Sequence, residues 1–304
     1  MMRIDLNAPS CLFLGIAPVE GEWCEIGVAL THPPLVMSAT PADTFEVSGG
    51  RADFTYEHAL RHFSARAIQP AGNIEIEFGL HSCMGIGSDA VHTLAVCSIT
   101  NQLLEMAPLK RAAMAKAIGL PLNSFEWHAF EQGGVVATGQ NNVLQWRAEL
   151  LKTTDDDEDW VWVLVLPRLA DNVADDEEMQ KRESLWHTRR EMPFSDLQTA
   201  ARQITAGATN RDFEMFCDGL MGLNQTSTSF HTSADSEVMR MFKEGGARAW
   251  GKSLSGKGLY GLVKGTRASQ VLRDGIIATL GYEGPAVFGA LANNVGAEMK
   301  IEQT

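Results

Sequence analysis

A short glycine-rich segment, residues 85–89 (GIGSD), offers the clearest chemistry in the chain. It follows an alternating apolar and acidic run, residues 74–78, that predicts a strand, and an apolar helical pattern comes directly after it. A glycine-rich loop that opens a helix directs backbone N–H groups and the positive end of the helix dipole at one point, which suits a phosphate or another anion. The structural alternative is a tight turn with Ser88 or Asp89 as the helix N-cap.

Two nucleotide-binding motifs can be compared with this segment. Residues 85–90 match the G-x-G-x-x-A pattern of dinucleotide-binding folds, but that pattern normally follows its strand directly, whereas residues 79–84 intervene here. A Walker A loop would end in Gly-Lys-Ser or Gly-Lys-Thr, which the segment lacks. The sequence therefore disfavours both a dinucleotide site and a Walker A loop.

A second glycine-rich segment, residues 251–265, carries the cations that a phosphate would need. Its candidate ligands are Lys252, Ser253, Ser255 and Lys257, which place two ammonium groups and two hydroxyls close together. Lysines bind phosphate as point charges. The structural alternative is a flexible surface loop whose lysines aid solubility. A shared anion site requires the two glycine-rich segments to meet in space.

Asp89 is the candidate magnesium ligand, because hard carboxylate oxygens beside bound phosphates are where Mg²⁺ sits in proteins. An acid in the first turn of a helix also has a purely structural explanation. Asp89 would repel a bound anion unless a metal lay between them. The eight histidines form no HxxxH or HxH pattern, and His92 is better explained as a packed residue of the helix than as a catalytic one.

The rest of the chain mixes strands and helices without regular βα alternation. Apolar runs separated by Pro and Gly predict strands in the first 50 residues, and residues 160–166 (WVWVLVL) predict a strand buried on both faces. This mixture favours an α+β fold over a doubly wound sheet. Helices are predicted over residues 56–67, 91–106, 109–118, 197–206, 210–223, 236–245 and 268–280, and further strands over 133–137, 143–148, 285–291 and 297–301.

Composition predicts a soluble globular protein. The chain has 304 residues, of which 45% are apolar and 21% charged, and no stretch approaches the roughly 20 apolar residues that span a bilayer. The net charge of −13 argues against sequence-independent nucleic-acid binding, which needs a basic surface. The acidic runs at 155–159 and 175–178 are expected to be solvated loops. Five cysteines and the lack of an export signal predict reduced thiols and a cytoplasmic location.

Several segments, in order along the chain, resemble the GHMP superfamily and, within it, the β-ribofuranosylaminobenzene 5′-phosphate synthases. They are APSCLFLG at 8–15, IGVAL at 26–30 with Pro33, GIGS at 85–88, AFEQGGVV at 129–136, WVWVLVL at 160–166 and GKSLSG at 251–256. The resemblance implies an α+β, GHMP-type two-domain fold. Its ribosomal-protein-S5-like half would cover residues 1–165, and its ferredoxin-like half residues 166–304.

The resemblance also implies a reaction. The synthases join phosphoribosyl pyrophosphate to 4-hydroxybenzoate or 4-aminobenzoate in tetrahydromethanopterin biosynthesis, a part of one-carbon metabolism, with loss of CO₂ and pyrophosphate. The ligand would lie in the cleft between the two halves. Mg²⁺ would be the cofactor, and the protein would form a homodimer or associate with a pathway paralogue. By this resemblance the phosphate ligands would be Gly85, Gly87, Ser88, Lys252, Ser253, Ser255 and Lys257, with Asp89 on the metal.

The sequence also departs from the synthase pattern. Cys11 and Phe13 stand where the family usually carries Arg and His, and Asp89 stands where its glycine loop continues with Gly. Losing a cation and gaining an anion should weaken polyphosphate binding, which Lys252 and Lys257 would partly offset. Two alternatives therefore stay open: an ATP-dependent GHMP small-molecule kinase, and a non-catalytic paralogue that acts as a binding or scaffold partner.

Overall fold

The structure is a computed structural model of the chain. It describes residues 2–81, 84–119, 121, 124–150, 155–167, 184–225, 232–253, 256–281 and 283–303. Within these ranges, eleven strands form a seven-stranded sheet and a four-stranded sheet, and the helices pack against them. No helix in the described ranges is long and apolar enough to cross a membrane.

Two long strands form the centre of the first sheet. Strand β1 (Met2–Val19) and strand β2 (Glu22–Thr40) pair antiparallel as a hairpin. They join the short apolar runs predicted as separate strands in the first 50 residues, because β-bulges after Ala8 and Phe13 let the ladder continue through irregular positions. The other strands of this sheet are β3 (Phe45–Gly49), β4 (Gly72–Phe78), β5 (Val135–Thr138), β6 (Leu144–Ala148) and β11 (Glu298–Gln303).

The first sheet carries the helix that follows the glycine loop. Helix α2 (Ser88–Leu103) is buried around nearly its whole circumference and packs on β1 and β2. A helix that is apolar on all sides belongs in a core and not at a surface. The neighbouring helices are α1 (Ala52–Ala65), α3 (Arg111–Ile118) and α4 (Glu126–Gln132).

The second sheet confirms the prediction of a doubly buried strand. In β7 (Trp160–Leu166), Trp162, Leu164 and Leu166 face the large core shared with the first sheet. The intervening valines face a second, smaller core. This alternation follows from the two-residue period of a strand. The sheet order is β10-β7-β9-β8, with β8 (Ala249–Lys252), β9 (Leu259–Lys264) and β10 (Ala286–Ala290).

The helices described after β7 pack on both sheets, and the chain then returns to the first sheet with β11. Strand β11 pairs antiparallel with the first residues of β1, so the chain ends beside its beginning. In the acidic runs, residues 155–158 are exposed, whereas Asp159 is buried, and residues 175–178 lie outside the described ranges. The helical segments are residues 184–190 (α5), α6 (Phe194–Asn210), α7 (Phe213–Gln225), α8 (Ser233–Glu244) and α9 (Thr266–Leu280).

Candidate functional site

The second glycine-rich segment forms a β-hairpin and contacts the first. Strands β8 and β9 pair antiparallel, and the loop between them reaches the residues before α2. The Gly258 N–H donates to the Met84 carbonyl at 2.9 Å, and the Ser253 hydroxyl donates to the Gly85 carbonyl. The two segments therefore meet in space, which a two-loop anion site requires.

The first glycine loop is held from two sides. The hairpin contacts Met84 and Gly85, and from the other side the Cys11 N–H of β1 donates to the Ile86 carbonyl at 2.8 Å. Gly85 and Gly87 have φ values of 73° and 67°, in the left-handed region that glycine adopts without a steric penalty. Backbone geometry and neighbouring chain segments thus both require glycine in this loop.

The start of α2 is not the turn capped by Ser88 or Asp89 that the structural alternative predicted. Gly87 is the N-cap, and no side chain caps the helix, so the prediction of Ser88 or Asp89 as N-cap is wrong. The Ser88 side chain is fully buried, and its Oγ has no hydrogen-bond partner among the described residues. A buried hydroxyl without a partner is costly, so a ligand atom that bonds to it would be stabilising.

A buried carboxylate lies beside this loop. Glu126 begins α4, is 1% exposed, and accepts a hydrogen bond from the Ser124 hydroxyl. A Cβ placed on Gly87 would lie 3.2 Å from the Glu126 Cγ and 2.9 Å from the Cys11 Cβ. Glu126 is not recognisable as a site residue from the sequence, because an acid in the first turn of a short helix is an ordinary surface feature until the fold places it.

Asp89, the predicted magnesium ligand, forms an ion pair with Arg51. The Asp89 Oδ1 lies 2.6 Å from the Arg51 Nη1. Arg51 also donates to the Leu80 carbonyl, and its guanidinium lies 4.0 Å from the centre of the Phe54 ring. These contacts fix the guanidinium at the first turn of α2. Arg51 carries no local signal for this contact, since it lies 38 positions before Asp89.

Lys252, a predicted phosphate ligand, lies 2.8 Å from the Asp235 Oδ2. Asp235 and Thr232 form a capping box at the start of α8. Burial would raise the pKa of Asp235, but hydrogen bonds from Lys252 and the Thr232 backbone, with the lysine charge, lower it overall. Lys257 is half-buried in the hairpin loop, and Ser255 lies outside the described residues.

His92 is a packed residue that orders the chain before the glycine loop. Its Nε2 accepts a hydrogen bond from the Leu80 N–H at 3.0 Å, so the proton lies on Nδ1, which donates to the Thr55 hydroxyl at 3.5 Å. Burial, reinforced by the Arg51 charge, lowers the pKa of His92 to about 3. His92 is therefore neutral near pH 7, and its role in this arrangement is structural.

A cavity of about 540 Å³ adjoins the glycine loop. Met84 and Ile86 line it from the loop, Arg51 from the start of α1, and Leu166 and Phe288 from the second sheet. Its volume is that of an ordinary small-molecule site. Among the described residues, no group of three or more His, Cys, Asp and Glu side chains could hold a metal ion.

No protein-family model and no curated protein matches the sequence. Solved structures match nearly the whole chain. Homoserine kinase from Cytophaga hutchinsonii has 15% identity and a TM-score of 0.66, over 98% of this chain and 97% of its own. Mevalonate diphosphate decarboxylase from Staphylococcus aureus has 14% identity and a TM-score of 0.64, over 99% and 98%. MDDEF, in complex with MVAPP, AMPPCP and magnesium, has 10% identity and a TM-score of 0.61, over 100% of both chains.

These likenesses establish the fold. The chain has the α+β, GHMP-kinase-like fold with two sheets, and the predicted fold class is confirmed. Identities of 10–15% leave the chemistry open, because one fold carries many activities. The narrower resemblance to the synthases, and every role given to a site residue, stay predictions.

Proposed function

We propose that the protein binds a phosphorylated small molecule at the start of α2 and transfers a group from it. The observation that carries this proposal is the buried Ser88 hydroxyl, which has no hydrogen-bond partner in the described part of the chain and stands at the positive end of α2. The substrates that the sequence resemblance implies are phosphoribosyl pyrophosphate and an aromatic acid.

The chain's own groups would hold the phosphates. Backbone N–H groups of Gly85 and Gly87 and the Ser88 hydroxyl would bind phosphate oxygens, as helix N-termini commonly do. The hairpin would contribute the Ser253 and Ser255 hydroxyls and the charges of Lys252 and Lys257. Lys252 would do so only by exchanging its contact with Asp235 for one with the ligand.

Magnesium fits this arrangement with help from the ligand. Asp89, in the first turn of α2, and Glu126, beside Gly87, would supply carboxylate ligands, and the phosphates would complete the coordination. When bound, Mg²⁺ would neutralise charge on the departing pyrophosphate. The bond between C1′ and pyrophosphate would break as C1′ bonds to the acceptor's ring carbon that carries the carboxylate. That carboxylate would then leave as CO₂, and its bonding electrons would restore the aromatic ring. Positioning and charge stabilisation would supply most of the rate. A two-domain division near residue 165, a cytoplasmic location and a homodimer or paralogue partner belong to the same proposal.

Two other functions each have an observation in their favour. A small-molecule kinase is favoured by the fold, which homoserine kinase shares. A non-catalytic binding partner is favoured by the electrostatics, because Lys252 and Asp89 are both engaged in ion pairs and Glu126 adds a further acid beside the loop. Ligand binding separates these three possibilities.

The test is calorimetric titration of phosphoribosyl pyrophosphate and of ATP, each with Mg²⁺, into the wild-type protein and the Ser88→Ala variant. The matched control is Thr100→Val, at the end of the same helix remote from the loop. It removes another buried hydroxyl that has no partner among the residues the structure describes. We expect phosphoribosyl pyrophosphate to bind, Ser88→Ala to weaken it about tenfold, and Thr100→Val to leave it unchanged.

The outcomes of these titrations separate the synthase, the kinase and the non-catalytic binding partner. Binding of ATP alone would replace the synthase proposal by the kinase. Equal weakening in both variants would mean that Ser88 acts only through stability. If neither ligand binds to a folded protein, both enzymatic functions fail and the binding-partner role remains.

A further inference from the structure

A second cavity lies at the opposite end of β1 from the glycine loop. Its volume is about 740 Å³, against about 540 Å³ for the cavity beside the loop, and both suit a small molecule. Its walls are the turn between β1 and β2 (residues 18–21), one face of α6, and Trp146 of β6. Roughly 20 Å of extended strand separate this turn from Cys11, which contacts the glycine loop. The cavity is therefore separate from the proposed phosphate site.

Part of the lining is apolar and rigid. Trp146 is half-buried and packs against the main core, which fixes the position of its ring. Helix α6 contributes Ala201, Thr205 and Ala206, whose small side chains leave room beside the helix. A tryptophan ring offers a large apolar face that loses little conformational entropy on binding. The cavity therefore suits a ligand that carries a small apolar group.

The lining also carries two charged side chains of opposite sign, Glu20 of the turn and Arg202 of α6. Within the described ranges, they form no ion pair with each other or with any other residue. A ligand with both an ammonium and a carboxylate group gains a charge-assisted hydrogen bond from each of them. A ligand with one charge would leave the other side chain without a partner beside its apolar body, which is unfavourable. The charges therefore favour a zwitterion.

The backbone at Glu20 supplies a second, independent observation. Val19 pairs with Glu22, so Glu20 and Gly21 alone form the turn, with φ values of 51° and 91°. A two-residue turn with positive φ at both positions is normally built from Asn, Asp or Gly. Residues other than glycine that are held in this conformation cluster at ligand-binding sites. The turn thus keeps a glutamate beside the cavity at a position where backbone preference alone selects another residue.

We propose that this cavity binds a small zwitterion with an apolar side group, of which a free aliphatic amino acid is the simplest case. Its ammonium group bonds to Glu20, its carboxylate bonds to Arg202, and its apolar group lies against Trp146. Because the two charges of the lining cancel, a ligand of zero net charge is matched. The inference does not depend on the proposed function, since the cavity shares no residue with the phosphate site.

The test titrates L-leucine into the whole chain and follows the indole N–H signals by NMR, with Trp146→Phe to assign the signal of Trp146. Three matched ligands each lack one group: 3-methylbutylamine lacks the carboxylate, 4-methylpentanoate lacks the ammonium, and glycine lacks the apolar group. We expect each to bind about tenfold more weakly than leucine. Equal binding of any of the three overturns the proposal. Tighter binding of the dipeptide leucyl-leucine would support the same chemistry with a short peptide as its source.

Two variants locate the charges. Glu20→Gln should weaken leucine about tenfold and leave 4-methylpentanoate unchanged, because that ligand has no ammonium group. Arg202→Met should likewise weaken leucine and leave 3-methylbutylamine unchanged. Both side chains are exposed, so both variants are expected to fold. Glu22→Gln is the matched control, since it removes an exposed acid beside the turn that does not line the cavity. Equal effects of Glu20→Gln and Glu22→Gln on leucine contradict the proposal.

The same titration separates this inference from the proposed function. Ser88→Ala should leave leucine binding intact, since Ser88 is not among the residues that line this cavity. Leucine binding to a protein that binds neither phosphoribosyl pyrophosphate nor ATP would keep the cavity and reject the transferase. The reverse result would keep the transferase and reject this cavity as a zwitterion site.

Discussion

The Ser253 hydroxyl donates a hydrogen bond to the Gly85 carbonyl, across 168 positions of sequence. A Cβ on Gly85 would lie 2.5 Å from the Ser253 Oγ, closer than nonbonded atoms approach. The contact joins the loop before α2 to the hairpin of the second sheet. Any ligand held by both glycine segments would therefore be sensitive to substitutions at this one contact.

The Gly85–Ser253 contact predicts that Gly85→Ala lowers the free energy of unfolding more than an ordinary left-handed glycine would. Gly119 is the matched control, because its φ of 78° is similar and nothing lies within 4 Å of its added Cβ. We expect about 1 kcal/mol of loss for Gly119→Ala from backbone strain alone. Gly85→Ala should cost about 1–3 kcal/mol more from overpacking.

Urea denaturation measures both losses. Adding Ser253→Gly to Gly85→Ala removes the side chain that the new Cβ meets, so it should recover part of the difference. Equal losses for the two single variants would show that the hairpin moves away from Gly85 without cost.

The lowered pKa of His92 predicts that the free energy of unfolding falls in acid. Its pKa is lowered to about 3 by burial, against an ordinary value of 6.5. Between these two values the unfolded chain binds a proton that the folded chain does not, so the free energy of unfolding decreases as pH falls from about 6.5 toward 3. Above pH 6.5 this group contributes no slope. Burial also lowers the pKa values of His58, His62 and His128, which adds to the effect.

Urea unfolding at pH 7.5, 6.5, 5.5 and 4.5 would measure the slope. His92→Gln keeps an acceptor for the Leu80 N–H but cannot be protonated, so the slope should drop by up to about 1.4 kcal/mol per pH unit. An unchanged slope in this variant would mean that His92 takes up its proton in the folded state.

The Lys252–Asp235 ion pair predicts that the Lys252→Met variant loses free energy of unfolding, and that the loss depends on pH. At pH 7 the variant leaves a mostly buried carboxylate without its ammonium partner, and we expect a loss of about 1–2 kcal/mol. The folded pKa of Asp235 is lowered, so its contribution is complete above the ordinary value of 3.8 and is lost as pH falls through the folded value. The difference between wild type and variant should therefore shrink below pH 3.8.

Thermal unfolding from pH 7 to pH 3 would follow this difference. Lys264→Met is the matched control, because its ion pair with Glu158 is exposed and should contribute little. A constant loss across the pH range would show that the methylene groups of Lys252, and not its charge, stabilise the fold.

The hydrogen bonds of Arg147, which lies outside the glycine loop, predict a large loss in the free energy of unfolding when this residue is replaced. Its guanidinium donates to the carbonyls of Gly133, Gln132 and Asn294 at 3.0, 2.7 and 2.7 Å. These bonds tie the end of α4 to the loop after β10. We expect Arg147→Met to lower the free energy of unfolding by about 2 kcal/mol or more, since hydrogen bonds to a charged donor are the stronger kind.

Guanidinium denaturation would test this loss, with Arg3→Met as the control. Arg3 is 43% exposed, and within the described part of the chain it bonds to the exposed or half-exposed acids Asp5 and Glu77. A surface ion pair of that kind contributes about 0–1 kcal/mol. Similar losses for the two variants would argue against an anchoring role for Arg147.

Local patterns predicted several elements correctly. The run at 160–166 forms a strand buried on both faces, and the strand predicted over 143–148 lies close to its observed range, Leu144–Ala148. The glycine loop does open a long buried helix. These features follow from apolar periodicity and from glycine and proline at the ends of elements, which depend on neighbours in sequence.

The chemistry of the site depended on partners that are distant in sequence. Asp89 and Lys252 were predicted from their own type and position, but the neighbours that determine their charge state and freedom, Arg51 and Asp235, carry no local signal. Glu126 was missed for the same reason.

By itself, the sequence determined the α+β class, the strand buried on both faces and the helix that begins beside a glycine loop, because these depend on periodicity and backbone freedom within a few residues. Only the tertiary structure decided that the two glycine segments meet and that Gly87, not Ser88, caps α2. It also decided that Asp89 holds the Arg51 guanidinium at a neighbouring cavity. Distances between residues far apart in the chain arise when the two sheets pack, and no local pattern encodes them.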